Sequence, residues 1–237
     1  MNRNHPIYNI KVSRAEFNAY FQSSDDWRSE MTVEKDYVSP SKPGYVVREI
    51  DGARQLGVMN WGIPPPFGVK PLVVNVRNYT SPFWRTALSN PDRRCLVFVT
   101  EFQEWSVEPD PVTAKKTKHW FAMPLRPIFA FAGIWRTVGD GAAYAFLTCG
   151  YDGDPAGHVV GAIHPKAMPV ILHEEDFDRC CRHPYWTRYR LGARFLRSFY
   201  PSGRALLSEG AWKSAWPLSS GAVAKMHFRS GTSFRVQ

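Results

Sequence analysis

CLVFVTEF, residues 95–102, is a nearly continuous apolar run near the middle of the 237-residue chain. A run of this length and composition is typical of a strand that is buried on both faces, so we predict one continuous strand here. The run is followed directly by Gln103, Glu104 and Trp105, which places a carboxylate beside an indole at the strand end. This segment therefore predicts both a piece of the core and a polar group aimed out of it.

Further strands and a few helices surround this central run. Asp51-Gly52 between two apolar segments is a strong hairpin signal. Ser13 and Glu16 form a capping box that opens a helix to about Phe21, and Pro82 opens a second helix to about Leu88. We also predict strands at residues 45–50, 55–61, 72–76, 119–123, 128–135, 143–149, 159–163 and 170–172, and a helix at 174–181.

The order of these elements predicts the fold class. Many strands, few helices and no strict alternation of the two indicate an α+β fold with a strongly curved mixed β-sheet or open barrel at its centre. No linker-like stretch divides the chain, which favours one domain. We expect this domain at residues 1–186, followed by a divergent, basic C-terminal segment at 187–237 with little order.

The charge of the chain is strongly basic but unevenly distributed. The formal charge is +9, and seven arginines without any acid lie between Arg179 and Arg204, which leaves only +2 for the rest. A local stretch of this kind favours a polyanionic partner, although a solvated tail is an equally good interpretation.

The four cysteines do not form a metal-binding pattern. Cys95 and Cys149 lie in apolar runs where a thiol behaves as a small hydrophobe, and Cys180 and Cys181 are adjacent rather than spaced as ligands. We predict no metal and no cofactor. No secretory signal and no apolar run of about 18 residues is found, so we expect a cytoplasmic protein without a membrane segment.

Three polar side chains at strand ends are candidates for an active site. Glu104 follows a buried strand and precedes Trp105, so desolvation should raise the pKa of its carboxyl. His164 ends the apolar run 159–163, and histidine is a common general acid or base. Each residue alone is also compatible with an ordinary structural position at a strand end.

Asn75 and Arg77 form the third candidate segment. An amide within an apolar strand must find a hydrogen-bond partner or belong to a site, because an unpaired buried amide costs about 1–3 kcal/mol. Arg77 lies two residues further along, on the same face of a strand. An arginine there can hold a phosphate through two hydrogen bonds, or form an ordinary salt bridge.

Taken together, the short sequence motifs around these residues resemble those of one protein family. Asn75-Val76-Arg77, Phe102-Gln103-Glu104-Trp105 and the segment from Ile163 to Pro169 resemble three motifs of the SRAP family, whose members crosslink to abasic sites in single-stranded DNA. Two further segments resemble other parts of the family sequence, namely Phe129–Trp135 and Asn60-Trp61-Gly62. The resemblance extends from about Ile7 to Trp186.

The resemblance implies a fold, a substrate and a set of roles. Asn75, Glu104 and His164 would be catalytic, with Asn75 positioning the sugar aldehyde and the other two moving protons. Arg77 and Lys166 would contact phosphates in single-stranded DNA, and Trp61 and Trp105 would be stacking surfaces. The family's reactions in the DNA damage (SOS) response are covalent DNA–protein linkage, its lyase-type reversal and peptidase-type removal of the initiator methionine.

The chain departs from the family pattern at its start. The family places a cysteine after the initiator methionine, and its amine and thiol close a thiazolidine ring with the aldehyde. Here residue 2 is Asn2, and alignment on Tyr8 puts His5 at the position of the cysteine. Lys166 also stands near the place of a family arginine, and lysine lacks the bidentate fork. Stable crosslinking is therefore in question for this sequence.

Three hypotheses follow for the function. The first is an abasic-site processing protein, expected to be a monomer and nucleoid-associated, that binds single-stranded DNA and recognises or covalently traps abasic sites. The second is a single-stranded DNA binder that keeps the fold and has lost its nucleophile, with salt-dependent binding and no covalent product. The third is a hydrolase unrelated to DNA that uses Glu104 and His164 on small esters or peptides.

Overall fold

The structure is a computed structural model that describes residues 7–25, 33, 36–65, 71–122, 128–149, 168–172, 174–182 and 227–230. The strands, in chain order, are β1 (Ile7–Asn9), β2 (Ser24–Asp25), β3 (Tyr37–Val38), β4 (Pro43–Ile50), β5 (Ala53–Trp61), β6 (Asn75–Val76), β7 (Arg94–Val99), β8 (Glu101–Pro109), β9 (Lys116–Ala122), β10 (Phe129–Val138), β11 (Gly141–Cys149), β12 (Met168–Pro169), β13 (Ile171–Leu172) and β14 (His227–Ser230). The helices are α1 (Arg14–Phe21), α2 (Pro82–Ser89) and α3 (Phe177–Arg182).

Five strands close into a barrel. β4, β5, β7, β10 and β11 are joined by antiparallel ladders in the order β11-β10-β7-β4-β5, and a parallel pairing of β11 with β5 completes the circle. Closure satisfies the hydrogen bonds of strands that an open sheet would leave at its edges. The predicted α+β class with a strongly curved sheet is confirmed, and these five strands form a closed barrel.

A second sheet lies against the barrel. Its five strands follow the order β14-β9-β8-β1-β3, and β8 enters it directly from β7. The single strand predicted at residues 95–102 is therefore wrong: β7 ends at Val99 and β8 begins at Glu101. Thr100 makes the crossing, because its backbone N–H and its hydroxyl both donate to the carbonyl of Asn9, at 2.9 and 3.0 Å.

Local sequence signals place several other elements correctly. The β4–β5 hairpin turns at Asp51 and Gly52, whose φ angles of 52° and 80° lie in the left-handed region that such turns require. Ser13 and Glu16 form the capping box of α1, and Pro82 begins α2. The predicted strand 72–76 is shorter than expected, because only Asn75 and Val76 pair with β11. The strand predicted at 159–163 lies outside the described residues.

Aromatic rings fill the barrel. Phe146 of β11 contacts Phe131, Tyr8 and Trp61, with ring centroids 5.0, 5.6 and 4.7 Å away. Phe102 extends this cluster into the second sheet through Phe131, at 5.4 Å. The interior is therefore a continuous aromatic core that links both sheets.

The outer face of the barrel wall is covered by helices. Phe17 and Phe21 of α1 pack on Phe98 of β7, and Phe177 of α3 packs on Phe21. Burial of such rings contributes about 2–3 kcal/mol each, which fixes the helices to the wall. Among the described residues, no helix is long and apolar enough to cross a membrane.

One close approach inside the barrel requires glycine. The hydroxyls of Tyr8 and Tyr144 hydrogen-bond to each other in the fully buried core, and Gly44 of β4 lies against both oxygens. A Cβ atom at Gly44 would collide with both hydroxyls. Neither oxygen can move freely, because each belongs to a buried ring held by its neighbours.

We therefore expect Gly44→Ala to destabilise the fold by about 1–3 kcal/mol, the range typical of overpacked cores. Gly141→Ala is the matched control, since a Cβ there meets only the Val138 carbonyl oxygen at 3.8 Å. Urea unfolding of both variants and the wild type measures the difference. Equal urea midpoints for the two variants would show that the core can accommodate a methyl group at Gly44.

Candidate active site

Glu104 lies on the interior-facing side of β8. It shares that face with Phe102, two residues earlier, whose ring stacks on Phe121 at 5.1 Å. The side chain is half-buried at the margin of the aromatic core. The polar end of β8 is thus held in place by an apolar cluster that also removes water from around the carboxyl.

This setting changes the acidity of Glu104. Desolvation by burial raises the pKa of its carboxyl to about 7, and the positive field of Arg77 opposes that rise. The sequence-based expectation of a raised pKa at Glu104 is therefore confirmed. A carboxyl with a pKa near 7 is suited to both accepting and donating a proton at neutral pH.

Arg77 influences Glu104 through its charge. It follows β6, is exposed to solvent, and acts electrostatically on the Glu104 carboxyl. The segment after β6 is fixed to the end of β11, because Thr148 Oγ1 donates to the Val76 carbonyl at 3.0 Å and the Tyr79 hydroxyl donates to the Thr148 carbonyl. The fold thus brings together two candidates that lie 27 positions apart in the sequence.

Asn75 is placed on β6 opposite Phe146 in a parallel pairing. It shares a strand face with that ring, which lines the barrel interior, and it is half-buried. Within the part of the chain that the structure describes, no hydrogen bond to the Asn75 amide is found. The strand itself is held firmly, since the Phe146 N–H donates to the Val74 carbonyl at 3.0 Å. The backbone that carries the Asn75 amide is therefore fixed by β11.

The two tryptophans differ in their suitability for stacking. Trp61 is only 1% exposed, packs against Tyr8 and Phe146, and donates its indole N–H to the Val74 carbonyl at 3.1 Å. The expectation that Trp61 is a stacking surface is thereby corrected: its ring is part of the core. Trp105 is half-buried on the opposite face of β8 from Glu104, with Lys118 Nζ 5.1 Å from its ring centroid.

The remaining predicted site residues, His164 and Lys166, lie outside the described residues. The basic stretch from Arg179 to Arg204 is described only at its start. There Arg179 pairs with Asp176 at 3.2 Å and Arg182 pairs with Glu49, so these two arginines serve the packing of α3.

Sequence reasoning missed His119. It lies on β9 directly opposite Glu104 and is half-buried, and desolvation lowers the pKa of its imidazole. The strand was predicted, but no local signal shows that β9 pairs with β8 in this register. Histidine at the start of a predicted strand was the only hint that the sequence offered.

Three of the four cysteines lie in the core. Cys95 and Cys180 are fully buried, and burial raises the pKa of the Cys95 thiol; a hydrogen bond with Cys181, together with burial, raises that of Cys180. Neutral, buried thiols are poor nucleophiles. Among the described residues, no group of three or more His, Cys, Asp or Glu side chains is placed to hold a metal ion.

Comparisons with known proteins agree with this architecture. Residues 7–190 match the model of a family described as SOS response associated peptidase, abbreviated SRAP. A curated relative, the abasic site processing protein YoaM of Bacillus subtilis strain 168, is 27% identical over 152 residues, which are 59% of this chain and 63% of that protein. The chain thus spans less than two thirds of this relative's length.

Solved structures share the fold at low sequence identity. A crystal structure of a protein from Bacteroides thetaiotaomicron has a TM-score of 0.58 at 19% identity and covers 74% of this chain and 80% of its own. A protein from Bordetella bronchiseptica has a TM-score of 0.57 at 20% identity, with coverage of 76% and 90%. At these identities the likeness concerns the fold alone.

The raised pKa of Glu104 has a consequence for stability. Its carboxyl ionises near pH 4.5 in the unfolded chain and near pH 7 in the folded protein. Between these values the unfolded chain loses the proton first, so this group's contribution to stability is present below pH 4.5, falls as the pH rises, and is lost above pH 7. We expect Glu104→Gln to remove that loss and to be more stable than wild type by about 3 kcal/mol at pH 8.

Urea unfolding of Glu104→Gln and wild type from pH 4 to pH 8 measures this difference. It should grow between pH 4.5 and pH 7 and then level off. Glu108→Gln, at an exposed position of the same strand, is the control. A difference that is independent of pH would mean that Glu104 ionises normally in the folded protein.

Proposed function

The chain belongs to the SRAP family, and from that premise we propose that it recognises abasic sites in single-stranded DNA and processes them at a pocket containing Asn75, Glu104 and His164. The relative named as an abasic site processing protein supports this role. The observation that carries the proposal is Glu104, a carboxyl with a pKa of about 7 that is held at the margin of the core and within the field of Arg77.

The chemistry of an abasic site suits these side chains. Its open sugar exposes an aldehyde, which an amine attacks to give a carbinolamine and then an imine with loss of water. Glu104 in its ionised form takes the proton that the amine releases, and in its protonated form gives a proton to the departing hydroxyl. A pKa near 7 keeps both forms populated through this cycle.

The neighbouring residues supply orientation and charge. In the proposed pocket the Asn75 amide donates to the oxygen derived from the aldehyde, and His164 is the second proton-transfer group. Arg77 and Lys166 contact flanking phosphates, and the exposure of Arg77 to solvent supports that role. Trp105 offers one face to a base next to the abasic site.

The covalent step depends on the start of the chain. β1 begins at Ile7, opposite Gln103 and therefore one residue from Glu104. The sequence holds Asn2 in place of the family's cysteine. We propose that this chain forms a reversible imine through an amine and not a closed thiazolidine ring.

A second candidate function is favoured by the same substitution. A protein with Asn2, and with buried thiols at Cys95, Cys180 and Cys181, can keep DNA binding while losing covalent capture. As such a binder it would hold single strands through salt-dependent phosphate contacts. In either role we propose that the protein acts as a monomer in the cytoplasm, associated with the nucleoid.

The first prediction concerns covalent capture. We expect wild type to give a band on a denaturing gel with abasic single-stranded DNA only after borohydride reduction, because reduction fixes an imine. A version in which residues 1–7 are replaced by Met-Cys-Asn-Leu should give a heat-stable band without reduction. Glu104→Gln in that version should lower the capture rate at least tenfold, as expected for loss of a general acid or base.

The outcomes separate the two candidates. If neither version gives a band but both retard abasic and intact strands equally, the non-catalytic binder is the better description. If neither retards DNA at all, both candidates fail, and hydrolysis of small esters or peptides becomes the reaction to test.

The second prediction concerns stacking by Trp105. We expect Trp105→Ala to weaken single-strand binding by about 1–3 kcal/mol, the usual contribution of one base–aromatic stack. Trp105→Phe should retain most of the affinity. Fluorescence anisotropy with a labelled oligonucleotide at fixed salt measures both variants. An unchanged affinity in Trp105→Ala would place the DNA strand elsewhere on the molecule.

A further inference from the structure

Glu104 has a titratable neighbour on the adjacent strand. In the register of β8 with β9, Glu104 lies directly opposite His119, between the pairs Gln103–Trp120 and Trp105–Lys118. Directly opposite residues of an antiparallel pair project from the same face, with Cβ atoms about 4.5–5.5 Å apart. The imidazole and the carboxyl are therefore within reach of a direct contact or of one bridging water.

The shared face is the one that looks toward the aromatic core. The next pair on this face is Phe102 with Phe121, whose rings stack, and both are nearly fully buried. Glu104 and His119 are each half-buried beside this pair. Burial thus acts on both groups from the same apolar cluster.

Burial shifts the pKa values of the two groups in opposite directions. An unperturbed histidine holds its proton about two pKa units more tightly than an unperturbed glutamate. Here desolvation raises the pKa of Glu104 to about 7 and lowers that of His119 below its usual 6.5. Burial thus opposes the charged form of both groups, which favours the state with a protonated carboxyl and a neutral imidazole.

We propose that His119 is the positioning residue of Glu104: its imidazole faces the carboxyl across the β8–β9 ladder, orients it toward the site, and exchanges one proton with it. The exchange needs no other reactant. The O–H bond of the Glu104 carboxyl breaks as an N–H bond forms on the neutral imidazole, leaving a carboxylate and an imidazolium, and the reverse step restores both. The role in DNA processing rests on the proposed function, whereas the coupling of the two titrations does not.

Other charged groups near the pair are few in the described part of the chain. Arg77 acts on Glu104 from the segment after β6. From β1, Tyr8 lies opposite Phe102 on the same face, and burial raises the pKa of its hydroxyl so that it stays neutral. Lys118 and Glu101 belong to the other face, where Glu101 accepts from Asn9 at 2.6 Å. His119 is therefore the titratable partner best placed to respond to Glu104.

Side-chain NMR titration tests the coupling without DNA. The Cδ resonance of Glu104 and the Cε1–H resonance of His119 are followed from pH 4.5 to 9 in wild type, His119→Gln and Glu104→Gln. We expect His119→Gln to raise the pKa of Glu104, and Glu104→Gln to lower the pKa of His119, each by about one unit. The two shifts should be similar in size, because the coupling between two sites is reciprocal.

Thr117→Ala is the control for disturbing β9, since Thr117 lies two residues from His119 on the same strand. Shifts in the two Gln variants no larger than in this control would overturn the inference. Glu104→Gln is expected to fold at least as well as wild type above pH 7, so the coupling remains measurable even if His119→Gln is poorly folded.

A second readout ties the pair to the proposed reaction. With the restored N-terminus, His119→Gln should move the pH profile of abasic-site capture upward with the pKa of Glu104, and the affinity for intact single strands should not change. Capture with an unmoved profile would leave His119 a structural residue only. Reciprocal pKa shifts without any capture would instead reject the proposed function while the coupling stands.

Discussion

The parallel pairing of β11 with β5 is the constraint on which the rest of the structure depends. It joins Ala143 to Asn60 and Tyr144 to Trp61, and it turns an open sheet into a closed barrel. Closure is possible because the interior is filled by large rings, with Gly44 leaving space where the two tyrosine hydroxyls meet. Because β6 pairs with the same β11, the barrel also fixes the position of Asn75, which lies opposite Phe146.

The proposed site is built on this apolar frame, and the raised pKa of Glu104 comes from the same kind of burial that stabilises the fold. β8 leaves the barrel wall at Thr100 and carries Glu104 to the margin of the aromatic cluster. There partial dehydration destabilises the carboxylate and raises its pKa, and the positive charge of Arg77 offsets part of this rise. The raised pKa of Glu104 therefore lowers the stability of the folded protein above pH 7. Strongly shifted pKa values of this kind are found most often at functional positions.

The sequence predicted the secondary structure elements better than the tertiary contacts that these elements make. Hairpin, capping box and strand-end carboxylate were recognisable because each depends on a few adjacent residues. The break at Thr100 was not, since it arises from hydrogen bonds to Asn9, 91 positions away. The prediction for Trp61 was wrong for the same reason. Its burial depends on a distant residue, Phe146, whose ring centroid lies 4.7 Å from that of Trp61. His119 was missed because only the β8–β9 register places it opposite Glu104.

The most direct test of the central claim is a crystal structure of the protein with a single-stranded oligonucleotide that carries one tetrahydrofuran abasic analogue. That analogue lacks the aldehyde, so it reports recognition without depending on a nucleophile at the N-terminus. The account predicts the base-free sugar within hydrogen-bonding distance of the Asn75 amide and the Glu104 carboxyl, with a flanking phosphate on Arg77. A strand bound elsewhere, or an intact nucleotide in that position with equal occupancy, would contradict it.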